Sequence, residues 1–138
     1  MAVEADGYGI GIFVLEAGLV LAVRPLTELT RTGGVFILKV IIAGSRHMQW
    51  KDYHLIGEAV KKSNFQVSEV VSGRARGADT MGEKWAWEHG IPRKLFPADW
   101  DTHGKAAGPI RNKQMAMYAG ALIVFIWEGS RGSQNMLT

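Results

Sequence analysis

The chain has 138 residues, 47% of them hydrophobic, which suits one domain with an ordinary core. Its formal net charge is only +3, and no run of five or more like charges occurs, which argues against a basic DNA-binding arm. This mild positive charge is still consistent with a weak attraction of anionic ligands. The absence of cysteine excludes disulfides and thiolate chemistry and favours a reducing, cytoplasmic compartment.

The first 34 residues do not share the pattern of the rest of the chain. The apolar stretch 10–23 is too short for a membrane span and contains Glu16. Glu4 and Asp6 precede it, where a signal peptide has Lys or Arg. We therefore expect no membrane partner. We interpret 1–34 as an N-terminal extension that forms one or two strands, a hairpin at Ala17–Gly18, or an interface.

From residue 35 onward, short apolar runs alternate with helical patterns, and we assign 35–138 to one domain. The predicted strands are 35–43, 65–71, 92–96 and 121–127, and the predicted helices lie around Leu55–Val60, at Asp79–His89 and at Ile110–Tyr118. Strands that alternate with helices predict an α/β fold with a parallel sheet covered on both faces.

Polar, glycine-containing loops follow the predicted strands at Gly44–Arg46, at Ser72–Asp79, after Phe96 and at Glu128–Ser133. Because ligands of such sheets bind beyond the carboxyl ends of the strands, these loops are expected to line one site. Ser72–Asp79 has the layout of a phosphate cradle, since glycines let the backbone approach an anion and a helix start follows. Arg74 and Arg76 add charged donors to the same loop.

Five stretches together resemble one known family. They are Lys39–Arg46, Val71–Asp79, Phe96–Trp100, Gly104–Asn112 and Ser130–Ser133. In this order they resemble the YspA/cpYpsA-related family of the SLOG superfamily, over about residues 37 to 138. The resemblance implies a Rossmann-like three-layer sandwich with a mostly parallel sheet and a site for a nucleotide or nucleotide-derived ligand. Relative to that family the fold is expected to be C-terminally short, with an apolar N-terminal extension.

The resemblance favours binding over catalysis. The superfamily includes phosphoribohydrolases with a Pro-Gly-Gly-x-Gly-Thr loop and a catalytic Glu, and neither glycine loop of this chain has that pattern. We therefore predict that the site senses or sequesters a small nucleotide signal. Hydrolysis of a nucleotide or its N-glycosidic bond is an alternative, so an enzymatic role stays open. Nucleic-acid binding like that of the DNA-uptake protein DprA is a second alternative, which the mild charge disfavours.

The candidate ligand-binding residues fall in four groups. The first is the cradle loop, in which Ser72, Gly73, Gly77 and Ala78 form the predicted phosphate cradle and Arg74, Arg76 and Asp79 are further candidates. The other groups are Gly44, Ser45 and Arg46, then Asp99, Trp100, Arg111 and Asn112, and finally Glu128, Gly129, Ser130 and Gly132. Each arginine of the cradle loop contacts either the ligand or solvent. Asp79 is expected to cap its own helix, with a ribose hydroxyl as the alternative partner.

Arg111 is expected to clamp a phosphate and Asn112 to contact a base or ribose. Asp99 either orients Arg111 or acts as a base, and Trp100 either stacks on a base or seals the core. Asp99 and Glu128 are the only catalytic candidates.

The histidines have no metal-ligand spacing, so the sequence indicates neither a metal nor a cofactor. Trp85 and Trp87 are two residues apart on a predicted helix, as are Met115 and Met117, so at most one of each pair is expected in the core. The apolar N-terminal segment and the surplus tryptophans favour a homo-oligomer.

Overall fold

The computed structural model describes residues 2–5, 8–15, 18–25, 31–32 and 35–126. Its strands are β1 (Ala2–Ala5), β2 (Tyr8–Leu15), β3 (Gly18–Pro25), β4 (Arg31–Thr32), β5 (Val35–Gly44), β6 (Phe65–Ser72), β7 (Arg93–Leu95) and β8 (Ala121–Ile126). Its α-helices are α1 (His54–Ser63), α2 (Ala78–Glu88), α3 (Trp100–His103) and α4 (Ala107–Tyr118). All the helices and strands predicted after residue 35 are confirmed, with small shifts at their ends.

The strands form one sheet in the order β1-β2-β3-β8-β5-β6-β7, and β4 pairs with the start of β5. The strands β8, β5, β6 and β7 run parallel to one another. The central strand β5 is buried without interruption from Val40 to Ala43, as expected for a parallel strand that is covered on both faces.

Alternate residues of the central strands face two separate cores. Val40 and Ile42 belong to the core that contains α1 and α2, whereas Ile41 and Ala43 pack with Met115 of α4. Helices therefore cover both faces of the parallel strands, which confirms the α/β, Rossmann-like three-layer fold.

The path of the chain reverses the direction of the strand order at the middle of the sheet. The chain moves outward from β5 through β6 to β7 and then returns through α4 to β8, on the other side of β5. In open α/β sheets, the point where the strand order reverses direction is where ligands bind, at the carboxyl ends of the strands. Here that point lies between β5 and β8.

The described part of residues 1–34 adds antiparallel strands to this sheet. β2 and β3 pair from Tyr8 with Pro25 to Leu15 with Gly18, and β3 pairs antiparallel with β8. Val20 and Ala22 of β3 are buried in the same core as α1 and α2. In the described ranges, therefore, this segment extends the sheet beside β8.

The expectation for the paired tryptophans and methionines is confirmed. Trp85 is 9% exposed and Trp87 is 72% exposed, and the corresponding values for Met115 and Met117 are 1% and 78%. Within the described ranges, no helix has the length and apolar character needed to cross a membrane.

Two helical glycines give a matched test of the packing between α2 and β5. A Cβ at Gly82 would lie 2.7 Å from the Ile42 side chain, whereas one at Gly57 would make ordinary contacts with Trp85 from 3.5 Å outward. We expect Gly57→Ala to stabilise the protein by about 0.5–1 kcal/mol through helix propensity. Gly82→Ala should destabilise it, because overpacking costs about 1–3 kcal/mol and exceeds that gain. Urea unfolding measures both, and equal or reversed effects would contradict this packing.

Candidate functional site

The loops after β5 and β6 meet at the start of α2. The N–H of Ala78, the first residue of α2, donates to the carbonyl of Ser45 over 3.1 Å, and the Ser45 N–H donates to the carbonyl of Phe125 over 2.9 Å. Gly77 has a φ of +82°, and a Cβ there would overlap the Ser45 carbonyl. Glycine at position 77 therefore allows the close approach of the two loops.

Asp79 joins these two loops. It is 5% exposed, and its carboxylate accepts the backbone N–H groups of Gly44, Gly73 and Ala75. The expectation that it caps its own helix is wrong: Gly77 is the N-cap residue of α2, and the Asp79 side chain bonds to the loops instead. One carboxylate thus takes up donors that a phosphate cradle would otherwise present.

Arg111 reaches the same loops from α4. It is 8% exposed, its Nη1 donates to the carbonyl of Gly73, and its Nε donates to Oδ1 of Asn112 over 2.8 Å. A Cβ at Gly73 would lie only 2.8 Å from Cζ of Arg111, so glycine at this position leaves room for the guanidinium. Arg111 of α4 therefore contacts the loop after β6 directly.

The charges around Arg111 are unequal. Burial and the nearby Arg46 lower the pKa of Arg111, while the carboxylate of Asp79 raises it. Arg46 and Arg76 are exposed, and neither forms a hydrogen bond or ion pair with any described residue. The carboxyl edge of the sheet therefore presents guanidinium groups that the described acids do not neutralise.

Glu83 is a buried acid of the site that the sequence analysis missed. The Ser72 hydroxyl donates to its Oε2 over 2.6 Å, Arg74 donates from Nη1 to its Oε1, and Nη1 of Arg93 lies 4.0 Å from that oxygen. Glu83 lies four residues after Asp79 on α2, so both acids share one face of the helix. That spacing was the signal that could have identified it.

Ser72 and Arg74 are held by this acid. Ser72 is fully buried and also accepts the N–H of Arg74 over 3.1 Å. Arg74 has a φ of +66°, a left-handed conformation that is uncommon for a residue with a side chain. The two residues therefore fix the shape of the loop, and a ligand contact by either of them stays a prediction.

Asp99 and Trp100 lie at the start of α3. Asp99 is exposed and accepts the N–H of Thr102 over 3.1 Å, so it caps α3. The expectation that Asp99 orients Arg111 is therefore wrong. Hydrogen bonds from Thr102 lower the pKa of Asp99, which disfavours a role as a base at neutral pH. Trp100 is 52% exposed and so does not seal the core; its ring approaches Gly108 at the start of α4.

The fourth group of candidates, Glu128, Gly129, Ser130 and Gly132, lies outside the described residues. Across the ranges that are described, no cluster of three or more His, Asp or Glu residues is arranged to hold a metal ion.

Comparison with known proteins identifies the family. The sequence model of the YspA, cpYpsA-related SLOG family matches residues 38–103. The chain is also 39% identical over 92 residues to "Gene 61 protein" of Mycobacterium phage D29, in an alignment that covers 60% of this chain and 70% of the phage protein. The chain belongs to the YspA, cpYpsA-related SLOG family.

The SLOG match runs from β5 to α3 and thus contains both loops, Asp79 and Glu83. Membership in this family suggests a nucleotide-related ligand. No solved structure matches the chain.

The burial of Asp79 can be tested through the pH dependence of the protein's stability. Burial raises its pKa to about 6, against the opposing effects of Arg111 and the three N–H donors. Between about pH 4, near the pKa of an unfolded Asp, and pH 6, the folded protein binds a proton that the unfolded chain does not. The contribution of Asp79 to stability is therefore complete below pH 4 and is lost as the pH rises through 6. The loss is about 3 kcal/mol, from about two pKa units at 1.36 kcal/mol each.

Asp79→Asn removes this titration. Between pH 4 and pH 7 the unfolding free energy of the wild type should fall relative to that of Asp79→Asn, as measured by urea denaturation at several pH values. A difference between the two proteins that is constant with pH, or that moves in favour of the wild type, would contradict the burial of an ionisable Asp79.

Proposed function

We propose that the protein binds a nucleotide or nucleotide-derived ligand at the carboxyl edge of its parallel strands, in order to sense or sequester it. This proposal rests on the pair Arg46 and Arg111, since the guanidinium of Arg111 packs against Gly73 and the backbone of Arg46 packs against Gly77 of the same loop. They lie at the glycine loop that follows β6, which contacts Ser45 directly after β5, and β5 is one of the two strands between which the strand order reverses. An anionic group between them would relieve their repulsion.

The guanidinium groups, rather than the backbone, are the donors that such an anion would meet. The N–H groups of Gly44, Gly73 and Ala75 already donate to Asp79, and that of Ala78 donates to Ser45. Arginine presents a planar fork of donors that matches the oxygens of a phosphate. We therefore assign the phosphate to the arginine side chains that surround the loop.

The base of the ligand fits against Trp100. Half of this side chain is exposed, and it lies next to the first turn of α4, the helix that also carries Arg111. An exposed indole face offers a stacking surface for any base. Ser45 is less suited, since it is 1% exposed and its hydroxyl already accepts the N–H of His47.

A ligand titration tests the proposal. ADP, ADP-ribose, NAD and cyclic nucleotides are added in turn, and thermal unfolding and calorimetry are followed. At 100 times its dissociation constant, a ligand that binds only the folded state adds about 2.7 kcal/mol of stability. Arg46→Gln should weaken binding about tenfold to hundredfold, since a hydrogen bond to a charged group contributes about 1.5–3 kcal/mol.

Lys62→Gln is the matched control. Lys62 is exposed near the end of α1, at the opposite edge of the sheet, so this variant loses the same charge without touching the site. Equal weakening by the two variants would show a general charge effect, and the absence of a shift with every nucleotide would overturn the proposal.

Two further readouts separate the alternatives. Chromatography of nucleotides incubated with the protein would show product if the site hydrolyses them, and we expect none. Single-stranded DNA should bind weakly at most; tight binding with a steep salt dependence would favour the nucleic-acid alternative. Self-association stays a prediction, supported by the exposure of Trp87 and Met117, and light scattering tests it.

A further inference from the structure

Arg74 is held in an unusual state by the buried Glu83. Its backbone is left-handed, with a φ of +66°, and its Nη1 donates to Oε1 of a carboxylate that is almost fully buried. At the same time 48% of the Arg74 side chain is exposed. Residues held in such backbone conformations store strain and cluster at ligand clamps and switches.

We propose that Arg74 and Glu83 form a latch, in which Arg74 leaves Glu83 when a nucleotide binds and donates to an anionic group of that ligand. This inference rests on the proposed function. It adds a regulatory role to that site, because Glu83 competes with the ligand for one guanidinium. Affinity is lowered by the fraction of molecules in which Arg74 is held by Glu83.

Glu83 is able to release Arg74 because other donors remain. The Ser72 hydroxyl donates to Oε2 over 2.6 Å, and Nη1 of Arg93 lies 4.0 Å from Oε1. A buried carboxylate without any partner would be strongly unfavourable, but this one keeps a hydrogen bond and a nearby cation. Glu83 therefore keeps partners of its own after Arg74 has moved to the ligand.

Arg74 is placed to reach the anion site. It directly follows Gly73, whose carbonyl accepts Arg111 and whose N–H donates to Asp79. Its half-exposed side chain moves by rotation about its own bonds, without any change in the buried core. The latch would thus add a further guanidinium to Arg46 and Arg111.

The latch makes a prediction that a purely structural role does not. Glu83→Gln, which keeps the shape but loses the charge, should bind nucleotide about threefold to tenfold more tightly than the wild type, because Arg74 is no longer held. Arg74→Gln should bind about tenfold more weakly. The double variant should bind as weakly as Arg74→Gln. Calorimetry measures all four proteins with the tightest-binding probe among ADP, ADP-ribose and NAD.

If Glu83 only supports the loop, Glu83→Gln will bind equally or more weakly, and that result overturns the latch. A second measurement does not depend on the folding of Glu83→Gln. In the wild type, the Nε–H resonance of Arg74 should shift when the probe is added, while that of Arg93 changes little. An unchanged Arg74 resonance at saturation also overturns the latch.

The two proposals fail in different ways. A wild type that binds the probe, without the Arg74 shift or the tighter Glu83→Gln binding, refutes the latch alone. A wild type that binds no nucleotide refutes both.

Discussion

The carboxylate of Asp79 is the interaction on which the site depends. It is buried at the start of α2 and accepts N–H groups from the last residue of β5 and from the loop after β6. A buried charge is tolerated only when it is paired and hydrogen-bonded, so both loops must keep the shape that supplies these donors. Asp79 therefore converts two strand ends into one rigid edge.

The remaining charges of the site are arranged around that edge. Arg111 lies over Gly73 and balances part of the Asp79 charge, and the absence of a side chain at Gly73 makes room for it. Glu83, one turn further along α2, holds Ser72 and Arg74. With these acids engaged internally, the cationic surplus is carried by arginine side chains. That surplus of positive charge favours recognition of an anionic ligand.

The sequence was sufficient to predict the helices and strands that form the layers of the fold, but not the hydrogen-bond partners inside the site. β-branched runs such as Val35–Ala43 and the helical spacing of Leu55, Ile56 and Ala59 identify their elements, because burial imposes those periods. The hydrogen bonds of Asp79 were not predictable, since an Asp in the first turn of a helix is expected to cap that helix and one of its three actual donors, Gly44, is distant in sequence. In the sequence alone, Glu83 resembles an exposed acid of a helix, and only the structure shows its contact with the buried Ser72.

A crystal structure of the protein with ADP would show directly which groups hold the phosphates. We expect phosphate oxygens within hydrogen-bond distance of the guanidinium groups of Arg46 and Arg111, with Asp79 still bonded to the N–H groups of Gly44, Gly73 and Ala75. Phosphate seated on those N–H groups with Asp79 displaced, or ADP bound away from the carboxyl edge of the sheet, would contradict it.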